Sequence, residues 1–595
     1  MPQDRSKKRA YYIVCALILI SAQLFFGCQK EHENEVETSP TDSPAPAVQE
    51  VEIQVDFDEE PTPVREVATA IPTPEPTDTP EPTERPRPHA VAESDPDNVG
   101  YVTELEVNGE EVSRYERAER ITFGKGNAYA SIEGVVTLRG NHYRTNAAYG
   151  TVEPLSGDME KVWSISTGRL EKSSSGHWSG SGWTGQCLIV RWPKETRRIM
   201  NLYDWAKAQD ELVEVIYATM DGCVYFVELE TGKETRDKLE VGIPFKGAGA
   251  LDPRGYPILY LGTGDSYRSA QRKGRSMAYS LIDFTRLMEV GVDRDDFAYR
   301  NWHAYDSSPL VDAETDTLIV PGENGILYTV RMNTQYDPEA GTLTMNPGEI
   351  VKQRYDADRV EVDRNEKYLY GYESSTVAWG EYLYLCDNGG FMRCIDSNTM
   401  ETLWVADLKD DINSTPTLEE TADGAYLYVG NTVDKTARGD KGTSSFYKIN
   451  AMTGEIVWQR DYAVTTNSHI TGGCMCSAIL GEGSLEGLVI TGFSSTGSNS
   501  GSVLVALDTQ TGEEVWTYTH ASYTWSSPLA LYTEDGTGYV FTNDRNGNLL
   551  LLNGADGTKL TSLKLSENIE ASPCAFGEYI VIGTRDQHIF GIRVS

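Results

Sequence analysis

One block of residues recurs along the second half of the chain, and it limits what the chain can fold into. It is clearest as Val503-Leu-Val-Ala-Leu-Asp508-Thr-Gln-Thr511-Gly512-Glu-Glu-Val-Trp516. It returns as Phe446-Tyr-Lys-Ile-Asn450-Ala-Met-Thr453-Gly454-Glu-Ile-Val-Trp458 and as Phe391-Met-Arg-Cys-Ile-Asp396-Ser-Asn-Thr399-Met400-Glu-Thr-Leu-Trp404. In all three, Asp or Asn precedes Trp by eight residues. Degenerate copies surround Gly232 and Gly557. Each copy reads as a strand, a tight turn at Thr-Gly or Asp-Gly, and a second strand. A unit of this size cannot bury its own apolar faces, so it must stack on its neighbours.

Two further signals lie upstream of the blocks. Asp221-Gly222, Asn324-Gly325, Asn388-Gly389 and Asn546-Gly547 mark another hairpin. Ser308-Pro309, Thr415-Pro416, Ser527-Pro528 and Ser572-Pro573 mark the start of a strand. Four strands per unit is the pattern of a propeller blade. These units resemble the pyrroloquinoline-quinone-type (PQQ-like) propeller repeat, whose blades end in an Ala-Leu-Asp-x-x-Thr-Gly-x-x-x-Trp block. The resemblance covers essentially 130–595 and implies an all-β, eight-bladed β-propeller, with units beginning near Thr184, Lys246, Ser307, Ser374, Ser414, Gly472, Ser526 and Ser572. The last unit is one strand short at Ser595. The orphan Glu160-Lys-Val-Trp163-Ser-Ile-Ser is expected to supply that strand and remove the exposed edges. Trp163, Trp404, Trp458 and Trp516 are expected to pack between units.

The N-terminus is built differently. Arg5, Lys7, Lys8 and Arg9 precede an apolar stretch from Tyr11 to Gly27, the pattern of an export signal. Gly27-Cys28 resembles the end of a bacterial lipobox, which implies acylation of Cys28; Phe25 and Phe26 depart from that pattern, and an uncleaved apolar anchor is the alternative. Residues 29–98 hold thirteen prolines, no glycine, and 19 acidic against 4 basic residues. Such a composition buries no core and favours an extended, disordered spacer. The expected organisation is therefore a signal and anchor over 1–28, an acidic Pro/Thr-rich linker over 29–98, a short β-rich lead-in over 99–130, and the propeller over 131–595. The chain is expected on the extracytoplasmic side of the cell membrane. Its net charge of −38 argues against nucleic acid as a partner.

Catalytic signals are sparse. No Gly-x-Ser-x-Gly elbow, His-Glu-x-x-His pair or phosphate loop is present. Relatives of the fold include quinone-dependent dehydrogenases, in which adjacent cysteines close a disulfide ring over the quinone. Here the nearest approach is Cys474-Met-Cys476, read as a buried structural pair with a redox role as the alternative. Asp544-Arg-Asn546-Gly-Asn548 is oxygen-rich but sits where a hairpin turn belongs, and Arg438-Gly-Asp440 is too short to carry weight. No metal or cofactor is expected. The loops entering each innermost strand instead carry aromatics beside polar groups, which can stack and orient a ring. Trp183, Trp302, His303, Asp306, Tyr372, His469 and Trp525 are the candidate ligand-binding residues at the channel mouth, and capping of the channel by the same aromatics is the structural alternative. The chain is thus read as a tethered binding or scaffolding module of the cell envelope, with an envelope protein or polysaccharide as ligand. In repeat and anchor it resembles the propeller lipoproteins that assist outer-membrane protein assembly, although the long proline linker departs from them. A divergent quinoprotein oxidoreductase and a wall-polymer binder are the other readings, and enzyme activity is left open.

Overall fold

The computed structural model describes residues 86–595 except 173–175, 183–184, 265–273, 292–294, 301, 359–366, 434–440, 468–469 and 497–500. The signal, Cys28 and most of the linker lie outside the described residues, as do Arg438 and Asp440. Four-stranded antiparallel units follow one another in chain order, and we number them 1 to 8 by their innermost strands. These begin at Leu188, Ala250, Leu310, Val377, Thr417, Ile479, Leu529 and Cys574. The chain is an all-β propeller. Unit 8 takes its outermost strand from the N-terminal side: Met159–Ser166 pairs antiparallel with His588–Val594, with Trp163 opposite Gly591. The lead-in is built onto unit 3, where Val102–Val107 pairs with Ile350–Asp356 and Glu110–Val112 extends the sheet further.

The recurrent block has a direct physical reading. Asp508 accepts hydrogen bonds from the Gln510 and Thr511 N–H groups and from the Thr511 hydroxyl, which folds the turn. Gly512 follows at φ 67°, and its bare α-carbon lies against the ring of Trp458 in the preceding unit. The Trp458 indole N–H then reaches the Thr509 carbonyl at 3.1 Å. The same contact recurs as Trp163 on Gly232 and Leu229 O (2.7 Å), Trp404 on Gly454 and Ala451 O (3.0 Å), and Trp516 on Gly557 and Gly554 O (2.9 Å). A Cβ on any of these glycines would strike the indole, so the Thr-Gly turn and the Trp specify each other across the junction. Trp163 joins unit 8 to unit 1 in this way, and so closes the series with the contact used inside it.

The Ser-Pro signal is read at the inner ends of the units. The Ser308 N–H donates to Ser375 Oγ (2.8 Å), Ser375 N–H to Thr415 Oγ1 (2.9 Å), Ser477 N–H to Ser527 Oγ (3.0 Å) and Ser527 N–H to Ser572 Oγ (2.9 Å). A hydroxyl at this position therefore crosses to the neighbouring unit.

Residues 134–149 were not legible as an element, and they are the centre of the molecule. This girdle bonds the innermost strands of all the units in turn. Val135 pairs with Ile189 of unit 1, and Leu251 N–H of unit 2 donates to Val136 O at 2.7 Å. Thr137 Oγ1 lies 3.1 Å from Ser308 Oγ of unit 3. The N–H groups of Ala378, Leu418 and Leu480, in units 4 to 6, donate to the carbonyls of His142 (3.1 Å), Tyr143 (2.9 Å) and Thr145 (3.3 Å). Asn146 exchanges two hydrogen bonds with Ala530 of unit 7, and Ala575 N–H of unit 8 donates to Ala147 O at 2.9 Å.

Two arginines pin the girdle. Arg139 and Arg144 are wholly buried and both hold left-handed backbone, φ 55° and 61°. Arg139 donates to the carbonyls of Pro528 (2.6 Å), Ala478 (2.9 Å) and Thr145 (3.4 Å). Arg144 donates to those of Thr376 (3.1 Å), Leu138 (2.9 Å) and Ser308 (3.4 Å) and to Thr137 Oγ1 (2.7 Å). Burial lowers each guanidinium to about 10, so both remain cationic at neutral pH, solvated by peptide dipoles. Replacing Arg139 by Met keeps the bulk and orphans several buried carbonyls, at about 1–3 kcal/mol each. Arg139→Met is expected to lose about 3 kcal/mol or more in denaturant unfolding; a loss below about 0.5 kcal/mol, the range of a neutral surface change, would show that the girdle is not pinned there.

Candidate functional site

The innermost strands bring one side chain or backbone segment from successive units to the channel. Leu138 of the girdle faces a cavity of about 20 Å³ lined by Gly185, Gly247, Asp306, Glu373 and Met475 among others. That volume holds about one water molecule, whereas sites for small organic ligands occupy roughly 300 Å³ or more. Among the described residues, three carboxylates and two cations gather here. Lys246 Nζ lies 3.3 Å from Asp306 Oδ2, Arg300 lies 3.5 Å from Glu323 Oε2, and Arg300 also donates to the Glu323 carbonyl at 3.1 Å. Asn388 donates to Glu373 Oε1 at 3.0 Å. Burial, then the Glu373 and Asp306 charges, push the Glu323 carboxyl well above the usual carboxylate range. Burial and then Asp306 raise Glu373 as well.

The expected site residues divide by position. Asp306 lies in the channel. Trp302 is half-buried beside it in sequence, with the Arg300 guanidinium 5.4 Å from its ring centre, and His303 Nδ1 lies 3.1 Å from Gly291 O. Tyr372 is fully buried away from solvent, and its hydroxyl accepts from Arg393 at 2.9 Å. Arg393 also stands over the rings of Tyr355 and Tyr101, so this aromatic cage is filled by the chain itself. Trp525 is buried against Tyr523 and Met475, and its indole N–H donates to Thr471 O at 3.2 Å. Trp183 and His469 lie outside the described residues. The charged groups Lys246, Glu323 and Glu373 were missed by sequence reasoning. Glu373 adjoins Tyr372 in a loop already singled out, and Glu323 precedes the Asn324-Gly325 turn, so both carried a positional signal.

Other candidate chemistry is also placed. Cys474 and Cys476 are buried, each about a hydrogen bond from Thr491 Oγ1 (3.4 and 3.5 Å), and Gly492 N–H points at Cys476 Sγ (3.2 Å). The Cys474 thiol, then Thr491 and the Gly492 amide, lower Cys476 to about 7 against its burial. Asp544 accepts from the Asn548 backbone and side chain at 3.2 and 3.1 Å, which is hairpin chemistry. Among the described residues, no group of three or more His, Cys, Asp or Glu side chains is arranged to hold a metal ion. The described channel residues do not fit a tricyclic quinone: the cavity they leave beside Leu138 is an order of magnitude too small, and the two described cations nearby are paired with carboxylates.

The raised carboxyls fix a sign. A group that keeps its proton more tightly when folded contributes stability below its ordinary pKa, and that contribution is lost as pH rises through the folded value. Glu323→Gln should therefore gain on the wild type in thermal stability as pH rises from about 4.5, the ordinary glutamate range, towards neutrality. A difference that is flat, or that shrinks with pH, would contradict the assignment.

The model of a family described as outer membrane protein assembly factor BamB matches residues 366–517 and 499–594. None of the curated proteins matches the chain. Among solved structures, BamB from Moraxella catarrhalis is similar at 14% identity, covering 73% of this chain and 98% of its own, with a TM-score of 0.42. A quinohemoprotein alcohol dehydrogenase from Pseudomonas putida HK5 is similar at 12% identity, covering 80% of this chain and 83% of its own, with a TM-score of 0.48. The family match falls on units 4 to 8, where the Asp-x-x-Thr-Gly and Trp contacts are most regular, so it is the repeats of those units that are PQQ-like.

Proposed function

We propose that the chain is an extracytoplasmic, lipid-anchored binding or scaffolding module of the cell envelope: an eight-bladed PQQ-like propeller held away from the membrane by the proline-rich linker. The observation that carries the reading is the filled channel. With about 20 Å³ of free volume among the described residues beside Leu138, and the girdle wrapped round the inner strands, recognition is assigned to the surface of the propeller, including a recess of about 320 Å³ lined by Asn141, Asn146, Glu482 and Tyr532. A rigid ring with fixed rims suits docking of a protein, because little ordering is needed on binding. The family model that matches is named for an outer membrane assembly factor, which supports envelope proteins as partners over small molecules. Gly27-Cys28 after a basic and apolar N-terminus supports acylation. Residues 86–98 of the expected linker instead pack on the propeller, where His89 N–H donates to Met452 O and Val405 N–H to Ser94 O, each at 2.9 Å. An extended 29–85 at ~3.1 Å per residue would therefore reach up to roughly 180 Å from the bilayer.

The test joins anchor and activity. The wild type should incorporate a clickable fatty acid and fractionate with membranes, while Cys28→Ser loses the label. Reconstitution with pyrroloquinoline quinone and calcium should give no alcohol-dependent dye reduction. An unlabelled wild type removes the lipid anchor, and dye reduction above an untreated control removes the binding reading in favour of an oxidoreductase.

A further inference from the structure

The seven cysteines beyond Cys28 are all buried, and most sit in strands as ordinary small apolar residues. Two have a different relation. Cys574 opens the innermost strand of unit 8, and Cys187 directly precedes that of unit 1. Strand residues alternate in the unit they face. Ala575 packs with unit 7 in one cluster, so Cys574 faces the other way, into the cluster it shares with Cys187, Ile189 and Trp163. The two strands enter side by side, since Ser572 N–H donates to Gly185 O at 3.0 Å, two residues before each cysteine.

This is a position that every junction possesses. At the junction of units 5 and 6 the facing pair is Thr417 and Ala478, and the Thr417 hydroxyl donates to the Ala478 carbonyl at 3.1 Å. At the junction of units 7 and 8 the pair is Leu529 and Pro573. Only where the end of the ring meets its beginning does the sequence place cysteine on both sides. Units 1 and 8 are also the pair farthest apart along the chain, so closing them has the largest loop entropy.

We infer that Cys187 and Cys574 are a disulfide site, which closes the propeller covalently at the junction of its first and last units. The bond forms by exchange with a protein or glutathione disulfide: both thiols lose their protons, one Sγ–Sγ bond forms, and the donor leaves as two thiols. Burial, then the neighbouring Cys574 thiol, raise Cys187 well above the ordinary cysteine value. The thiolate is therefore scarce once the junction is packed, and exchange belongs to the stage at which the strands first meet. Its occurrence in cells rests on the extracytoplasmic reading above, because reducing compartments do not sustain such bonds.

The full chain, purified from membranes without reductant and trapped with an alkylating reagent before digestion, should yield a Cys187–Cys574 linked peptide, with the other five cysteines alkylated. Cys187→Ser should leave Cys574 alkylated. It should also lower the melting temperature by about 5 °C, the shift expected for a loop of this length in a domain of this size, and should abolish the response to reductant seen in the wild type. Synthesis in a cell-free glutathione buffer with disulfide isomerase separates the two readings. A link that forms there but not in cells counts against export. Free Cys187 and Cys574 in the cell-free product would overturn the disulfide.

Discussion

A ring of sheets packed about an axis has two weak places, the hollow at its centre and the point where its ends meet. In this chain one continuous stretch answers both. Residues 134–149 bond the inner strands in the order in which those strands occur, and ten residues later Met159–Ser166 completes the last unit. The inner N–H groups of Leu251, Ala378, Leu418 and Ala575 would otherwise face the hollow unpaired, and each buried orphan costs about 1–3 kcal/mol. The girdle satisfies them with its own carbonyls. Arg139 and Arg144 do the converse, satisfying strand carbonyls with guanidinium donors.

That arrangement decides what the channel can do. A side-chain cluster of Asp306, Glu323 and Glu373 with Lys246 and Arg300 would be an inviting polar site in an open channel. Here the described residues leave about 20 Å³ beside Leu138, and the carboxyls answer burial by holding their protons more tightly or by pairing. Structural ion-pair networks shift pKa values as active sites do, so the shifts alone do not make this an active site.

The sequence was most informative where one contact is repeated. Trp404, Trp458 and Trp516 stand eight residues after Asp or Asn because the turn glycine of the next unit must meet an indole, and that regularity is visible in any single chain. Trp163 has Leu155 rather than Asp or Asn eight residues before it, and was legible as an orphan copy of the block's second strand, Glu160-Lys-Val-Trp163, despite lying over four hundred residues from its strand partners. The girdle was not legible, because its ties run largely through backbone groups and through Arg139 and Arg144, whose carbonyl partners leave no pattern. Tyr372 and Trp525 were singled out for being aromatic beside polar residues, yet the structure shows that an aromatic entering the inner strand can equally be a cage wall for Arg393 or a wedge on Met475. Residue type alone does not separate those cases; the buried partner does.

The central claim is that girdle, inner strands and closing strand form one cooperative unit. Native-state hydrogen exchange read by mass spectrometry addresses it directly. Peptides spanning 134–149, the inner strand at 574–576 and the closing pair 159–166 and 588–594 should share one slow opening, with the same denaturant dependence as global unfolding. Exchange of 134–149 that is fast and insensitive to denaturant, while the strands stay protected, would show that the ring stands without its girdle and contradict the account.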